Sequence, residues 1–131
     1  MPALPRLTLI STGGTIAGRA GDGADTTAYQ AGALDPASLL AALPEAAAYA
    51  TLDTHALLAI DSKDMTPAHW LTIARAIAGR LAQPDCDGVV LTHGTDTLEE
   101  TAWFLHLVLP PGKPVVLTAA MRPASALSAD G

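Results

Sequence analysis

The chain carries a single cysteine, Cys86, in 131 residues. One thiol cannot form an intrachain disulfide, and with neither a CxxC partner nor a histidine at ligand spacing it does not begin a metal site. It reads as a small buried hydrophobe. Basic residues are scarce as well: seven Lys and Arg stand against thirteen Asp and Glu, for a formal net charge of −6. Arg6, Arg19, Lys63, Arg75, Arg80, Lys113 and Arg122 are scattered, so there is no basic stripe to follow a phosphate backbone and nucleic acid is not expected as a partner. Long apolar runs are missing. The opening MPALPRLTLIST has only four strand-like residues in succession, 7–10 counting Thr8, too few for a signal segment, and nothing approaches membrane-spanning length. A cytoplasmic chain with no membrane partner is therefore expected.

What is present is apolar content: hydrophobic residues make up 50% of the chain, enough for one core, while the length is too short for two ordinary domains. Strand-like runs occupy residues 7–11, 55–60, 88–92 and 114–118, each bounded by small or polar residues. Helical patterns lie between them. Thr66-Pro67 is a hydroxyl cap followed by a first-turn proline, and Trp70, Ile73, Ala74, Ile77 and Leu81 form one apolar stripe that Pro84 interrupts. Residues 98–109 place Glu99 and Glu100 in a first turn, where carboxylates suit the helix dipole. Residues 36–43 follow an Asp35 cap and end before Pro44. The alternation predicts an α/β fold: a parallel sheet of at least four strands with flanking helices in three layers.

Ligands in such sheets bind beyond the carboxyl ends of the strands. The four exits read Ser11-Thr12-Gly13-Gly14-Thr15, Asp61-Ser62-Lys63-Asp64, Thr92-His93-Gly94-Thr95-Asp96-Thr97 and Thr118-Ala119-Ala120-Met121-Arg122. All are small, hydroxyl-bearing or charged, which favours a small-molecule site on this rim. Gly13, Gly14 and Gly18 do not make a dinucleotide fingerprint, and no phosphate-loop lysine follows. His93 and Asp96 lack the further partners a metal needs, so no metal and no cofactor are expected. Hydroxyl chemistry remains. A threonine nucleophile needs a proton relay and donors for the oxyanion it creates; Thr12, beside two glycines that leave it little steric cover, is the candidate, with Thr95-Asp96 a second hydroxyl and carboxylate. Taken singly, Thr12 could equally cap a turn, Thr95 or Asp96 could cap the following helix, and Ser62 or Asp64 could brace a loop.

STGGTIAG, DSKDM, THGTDTLEETA and TAAMRPASALSADG occur in that order. Together they resemble the N-terminal part of the bacterial-type L-asparaginase and glutaminase-asparaginase family, over most of residues 7–131. The resemblance implies a nucleophile at Thr12 that attacks the side-chain amide of L-asparagine, giving an acyl-enzyme and ammonia, then L-aspartate after hydrolysis. It implies that Tyr29, in the loop after the first motif, assists closure, with Gly21-Asp22-Gly23-Ala24 as a lid hinge. It further implies that Thr95 belongs to a second hydroxyl relay, that Asp96 pairs with the substrate α-ammonium, that Ser62 binds its α-carboxylate, and that Ala120 contacts the amide through its backbone. Lys63 stands where relatives often carry an uncharged residue, so asparagine against glutamine preference stays open.

The same resemblance implies that residues 1–131 are an incomplete N-terminal domain without the family's relay lysine and C-terminal domain. A weakly active piece of a homo-oligomeric enzyme is the expectation. An ammonia-releasing amidotransferase subunit and a non-catalytic module binding aspartate or asparagine are the alternatives.

Overall fold

A computed structural model describes residues 3–20 and 29–131. Its first strand, β1 (Arg6–Gly13), starts exposed and is fully buried from Thr8 onward. A 3-10 turn at Thr15–Ala17 leads to β2 (Arg19–Ala20), which pairs antiparallel with β3 (Tyr29–Gln30). Then come α1 (Pro36–Ala41), a 3-10 turn at Pro44–Ala48, β4 (Thr51–Ile60) and a further turn at Ser62–Asp64. The remainder is α2 (Pro67–Leu81), β5 (Gly88–Thr92), α3 (Leu98–Val108) and β6 (Val115–Thr118).

The main sheet has the order β4-β1-β5-β6, and every neighbouring pair is parallel. The chain leaves β1 for one side, forms β4, and returns to the other side for β5. This reversal creates a topological switch point between the carboxyl ends of β1 and β5, the crevice where open α/β sheets take ligands.

Register decides which side chains share a face. Ile10 is level with Leu91, and Thr8 with Val89; Ile10, Val89 and Leu91 pack with Ile73, Ile77 and Leu81 of α2 and Leu105 of α3. Burying each of these large aliphatic side chains contributes about 1.5–3 kcal/mol. The opposite face is met by α1 and the turn after it: Leu40 and Leu43 line a cavity of about 370 Å³ with Leu52, which is in register with Leu7. Helices therefore flank the parallel sheet as the alternation predicts. Cys86 is buried, its thiol 3.3 Å from the Gly88 carbonyl.

Several boundaries differ from the sequence reading. β4 begins at Thr51 rather than at residue 55: Asp53 and His55 interrupt the apolar pattern, which an outer strand of the sheet tolerates because one side faces solvent. α1 stops at Ala41 and Pro44 opens a separate 3-10 turn. α3 is capped by Thr97 through its backbone, not by Thr95 or Asp96, and the Thr97 hydroxyl donates to the Ser62 carbonyl at 2.9 Å instead. The Asp35 cap forms as expected, its carboxylate accepting from Ser38 N–H at 3.0 Å. That bond holds the Asp35 carboxyl below its usual range.

Candidate active site

Close backbone approach assembles the rim. β1 ends in Gly13 and is followed by Gly14, at φ +104° and +75°, conformations that glycine alone adopts without strain. Gly14 N–H donates to the Ile60 carbonyl at 2.9 Å, and the Gly14 carbonyl accepts from Gly32 N–H at 3.1 Å. A Cβ on Gly14 would lie 2.5 Å from the Cα of Gly94, and one on Gly94 would overlap the Ser62 side chain. Gly14, Gly94 and Ser62 thus stack, bringing the exits of β1, β5 and β4 together at the switch point. The β6 exit joins them, since Ile16 and Ala120 both approach Gly131, each within 3.0 Å of a Cβ placed there.

The hydroxyls are not disposed as the sequence suggests. Thr12, expected to stand with little cover, is 1% exposed, and its Oγ1 donates to the Thr92 carbonyl at 2.9 Å. It is a bond between neighbouring strands, facing away from solvent. The first motif also supplies Thr15, which begins the 3-10 turn directly after the Gly14–Gly94 contact. Its neighbours in sequence, Gly14 and Ile16, meet Gly94 and Gly131 respectively.

Thr95 and Asp96 are exposed on the rim. Their turn is braced from β4's exit: Ser62, itself buried, accepts the Asp96 N–H on Oγ at 3.0 Å. Lys63 is exposed, with its ammonium 2.6 Å from an Asp64 carboxylate oxygen; that hydrogen bond raises its pKa above the ordinary lysine value. Ala120 is buried. The backbone of Tyr29 pairs with Ala20, while its side chain and the 21–24 hinge lie outside the described residues. Among the described residues, no cluster of His, Cys, Asp and Glu gathers to hold a metal, and no helix is long and apolar enough to cross a membrane.

A residue that the sequence reading weighed only as a metal ligand proves central to the rim's construction. His93 is fully buried behind Gly94, with Nδ1 2.7 Å from the Gly94 carbonyl and Nε2 3.0 Å from Thr101 Oγ1. Burial pushes its pKa below the usual imidazole value, against the opposing effect of the Gly94 bond. A histidine ending a buried strand, with a threonine eight residues on along a helix's inner face, is the signal that could have revealed it.

The family model described as Asparaginase, N-terminal matches residues 6–131. The chain belongs to the asparaginase family. It is similar to the probable periplasmic L-asparaginase of Haemophilus influenzae, 47% identical over 128 residues, covering 98% of this chain and 36% of that protein. It is also similar to L-asparaginase 2 of Escherichia coli, 45% identical over 132 residues, covering 98% and 36%. The crystal structure of the probable cytoplasmic L-asparaginase from Campylobacter jejuni superposes with a TM-score of 0.93 at 47% identity, covering 97% of this chain and 38% of that one. This asparaginase-family chain thus spans about a third of the length of these relatives, and its parallel sheet and flanking helices are those of the family's N-terminal region.

Proposed function

We propose that the chain is the part of an amidohydrolase that supplies the nucleophile and grips the amino-acid end of L-asparagine, yielding L-aspartate and ammonia. The observation that carries this reading is the Gly14, Gly94 and Ser62 stack, which gathers the STGGT, THGTD and DSKD segments at the switch point of the sheet. Asp96 offers an exposed carboxylate among small residues, a suitable partner for an α-ammonium through charge-assisted hydrogen bonds. Ser62 accepts from Asp96 N–H, which leaves its own proton for the substrate α-carboxylate. The backbone at Ala120 meets the amide, Tyr29 assists closure, and Lys63 tunes the choice between asparagine and glutamine. The reading uses no cofactor, and a cytoplasmic location and a homo-oligomer are proposed with it.

Attack joins a threonine oxygen to the amide carbon and puts negative charge on the carbonyl oxygen. Collapse expels the nitrogen as ammonia once it has gained a proton, and water then releases aspartate from the ester. Thr12 and Thr15 compete for this role, with Thr95 as the second hydroxyl beside Asp96. We assign the attack to Thr15. Thr12 lies at 1% exposure and bridges β1 to β5 through the Thr92 carbonyl, while Thr15, at 8%, follows the Gly14–Gly94 contact and precedes Ile16, which with Ala120 meets Gly131. Thr12 then serves as the clamp between β1 and β5.

The test is asparagine-dependent ammonia release by a chimera in which residues 6–131 replace the matching segment of the Escherichia coli L-asparaginase 2, measured beside the chain alone. The chimera is expected to be active and the chain alone weakly so. Thr15→Ala should cost about a thousandfold or more in kcat, and Thr12→Val should cost stability while most of the kcat survives. The reverse pattern would return the attack to Thr12. A folded chimera that releases no ammonia would defeat the reading.

A further inference from the structure

Three polar groups in series run from α2, through α3, into the exit of β5. Trp70 Nε1 lies 2.8 Å from Thr101 Oγ1, which lies 3.0 Å from His93 Nε2, and His93 Nδ1 lies 2.7 Å from the Gly94 carbonyl. The direction of this chain follows from the donor inventory. A carbonyl oxygen can only accept, so His93 Nδ1 must carry the ring proton it shares with Gly94, and an indole N–H can only donate, so Thr101 accepts from Trp70. In the neutral ring that burial favours, Nε2 is then bare and accepts the Thr101 hydroxyl proton. The opposite tautomer would set a bare Nδ1 against the Gly94 carbonyl oxygen at 2.7 Å, two acceptors with no proton between them. Thr101 and His93 are both 0% exposed, so no bulk water can relieve that conflict.

We infer that His93 is a positioning residue: protonated at Nδ1 and held at Nε2 by Thr101 and Trp70, it draws the Gly94 carbonyl inward and so aims the Thr95 N–H at the rim. The peptide link is planar and trans, so its C=O and N–H point in opposite directions. Fixing the Gly94 carbonyl on a buried ring therefore fixes the Thr95 N–H toward the exposed side, and no described residue accepts from it. Gly94 is also the middle member of the Gly14, Gly94 and Ser62 stack. Rotation of this peptide would disturb the whole rim.

The consequence for chemistry rests on the amide-hydrolysis reading above. An N–H already aimed at the place where a carbonyl oxygen becomes anionic stabilises the transition state without reorganising during the reaction. The His93 imidazole touches no substrate; it acts through the peptide it holds.

Two readouts test this separately. In the 131-residue chain, long-range proton–nitrogen spectra, assigned with His93→Asn, should show His93 Nε2 unprotonated, and Thr101→Val should shift the Thr95 amide resonance. In the chimera, Thr101→Val should lower kcat about tenfold to a hundredfold with little change in KM, as expected for a displaced catalytic dipole, and Thr101→Ser should restore most of it. Trp70→Phe, which removes only the terminal donor, should act in the same direction and less strongly. A protonated Nε2 in the unmodified chain, a Thr95 amide unmoved by Thr101→Val, or a Thr101→Val chimera with unchanged kcat would overturn the assignment. If the unmodified chimera does not hydrolyse asparagine, the functional reading falls, and the ring and amide spectra still decide whether His93 orients this peptide.

Discussion

Gly14 combines a backbone angle of φ +75° with a contact against Gly94 that leaves no room for a methyl group. Both constraints oppose a side chain, so Gly14→Ala is expected to lose about 2 kcal/mol or more of stability, read as a lowered midpoint in urea unfolding at unchanged slope. The neighbouring His93 predicts a pH dependence. Its folded pKa lies below the ordinary imidazole value because burial disfavours the cation, so at acidic pH the unfolded chain binds a proton that the folded chain does not. Stability should therefore fall as pH drops below about 6.5, until the lower folded value is passed. His93→Gln, which cannot titrate, should flatten that decline in urea midpoints measured between neutral and mildly acidic pH; an unchanged slope would remove His93 as its source.

At the scale of elements, α2 shows how far local rules reach. Its cap was legible in Thr66-Pro67, and the helix begins there with Thr66 Oγ1 accepting from His69 N–H at 3.4 Å. The reciprocal bond, from Thr66 N–H to His69 Nδ1 at 3.2 Å, was not read from the sequence, since a histidine there replaces the usual acidic or amide partner. Thr66→Ala should cost about 1 kcal/mol, measured by thermal or urea unfolding. The four strand exits were legible for a simple reason: each apolar run stops abruptly at polar residues. That pattern locates the rim but does not orient its side chains. Whether Thr12 faces solvent or Thr92 depends on where β5 lies beside β1, information that is not local to either strand. The β2 and β3 pair escaped for the opposite reason, because two residues per strand carry no periodicity.

Over the whole molecule, apolar surface is distributed unevenly. The core between α2, α3 and the sheet is closed, while the outward side of α3 shows Trp103 and Leu107 at 63% and 65% exposure. Beside it, β6 is an outer strand of the described sheet, with Val116 55% exposed. The trough between α3 and β6 has a volume of about 580 Å³ and is lined by Ala102, Leu105, Leu109, Val115 and Leu117 among others. An outer strand offers unpaired backbone groups as well as apolar side chains, and both invite another chain to add on. The 131-residue chain is therefore expected to self-associate as its concentration rises, and sedimentation velocity at increasing concentration measures this. Val116→Lys places a charge on the exposed face of the outer strand, and Trp103→Glu places one on the helix. Each should shift the distribution toward monomer, and the pair should do so more strongly. If association instead persists in the doubly substituted chain at the same concentrations, the contact lies elsewhere, and the exposed β4 side of the sheet is the next surface to charge.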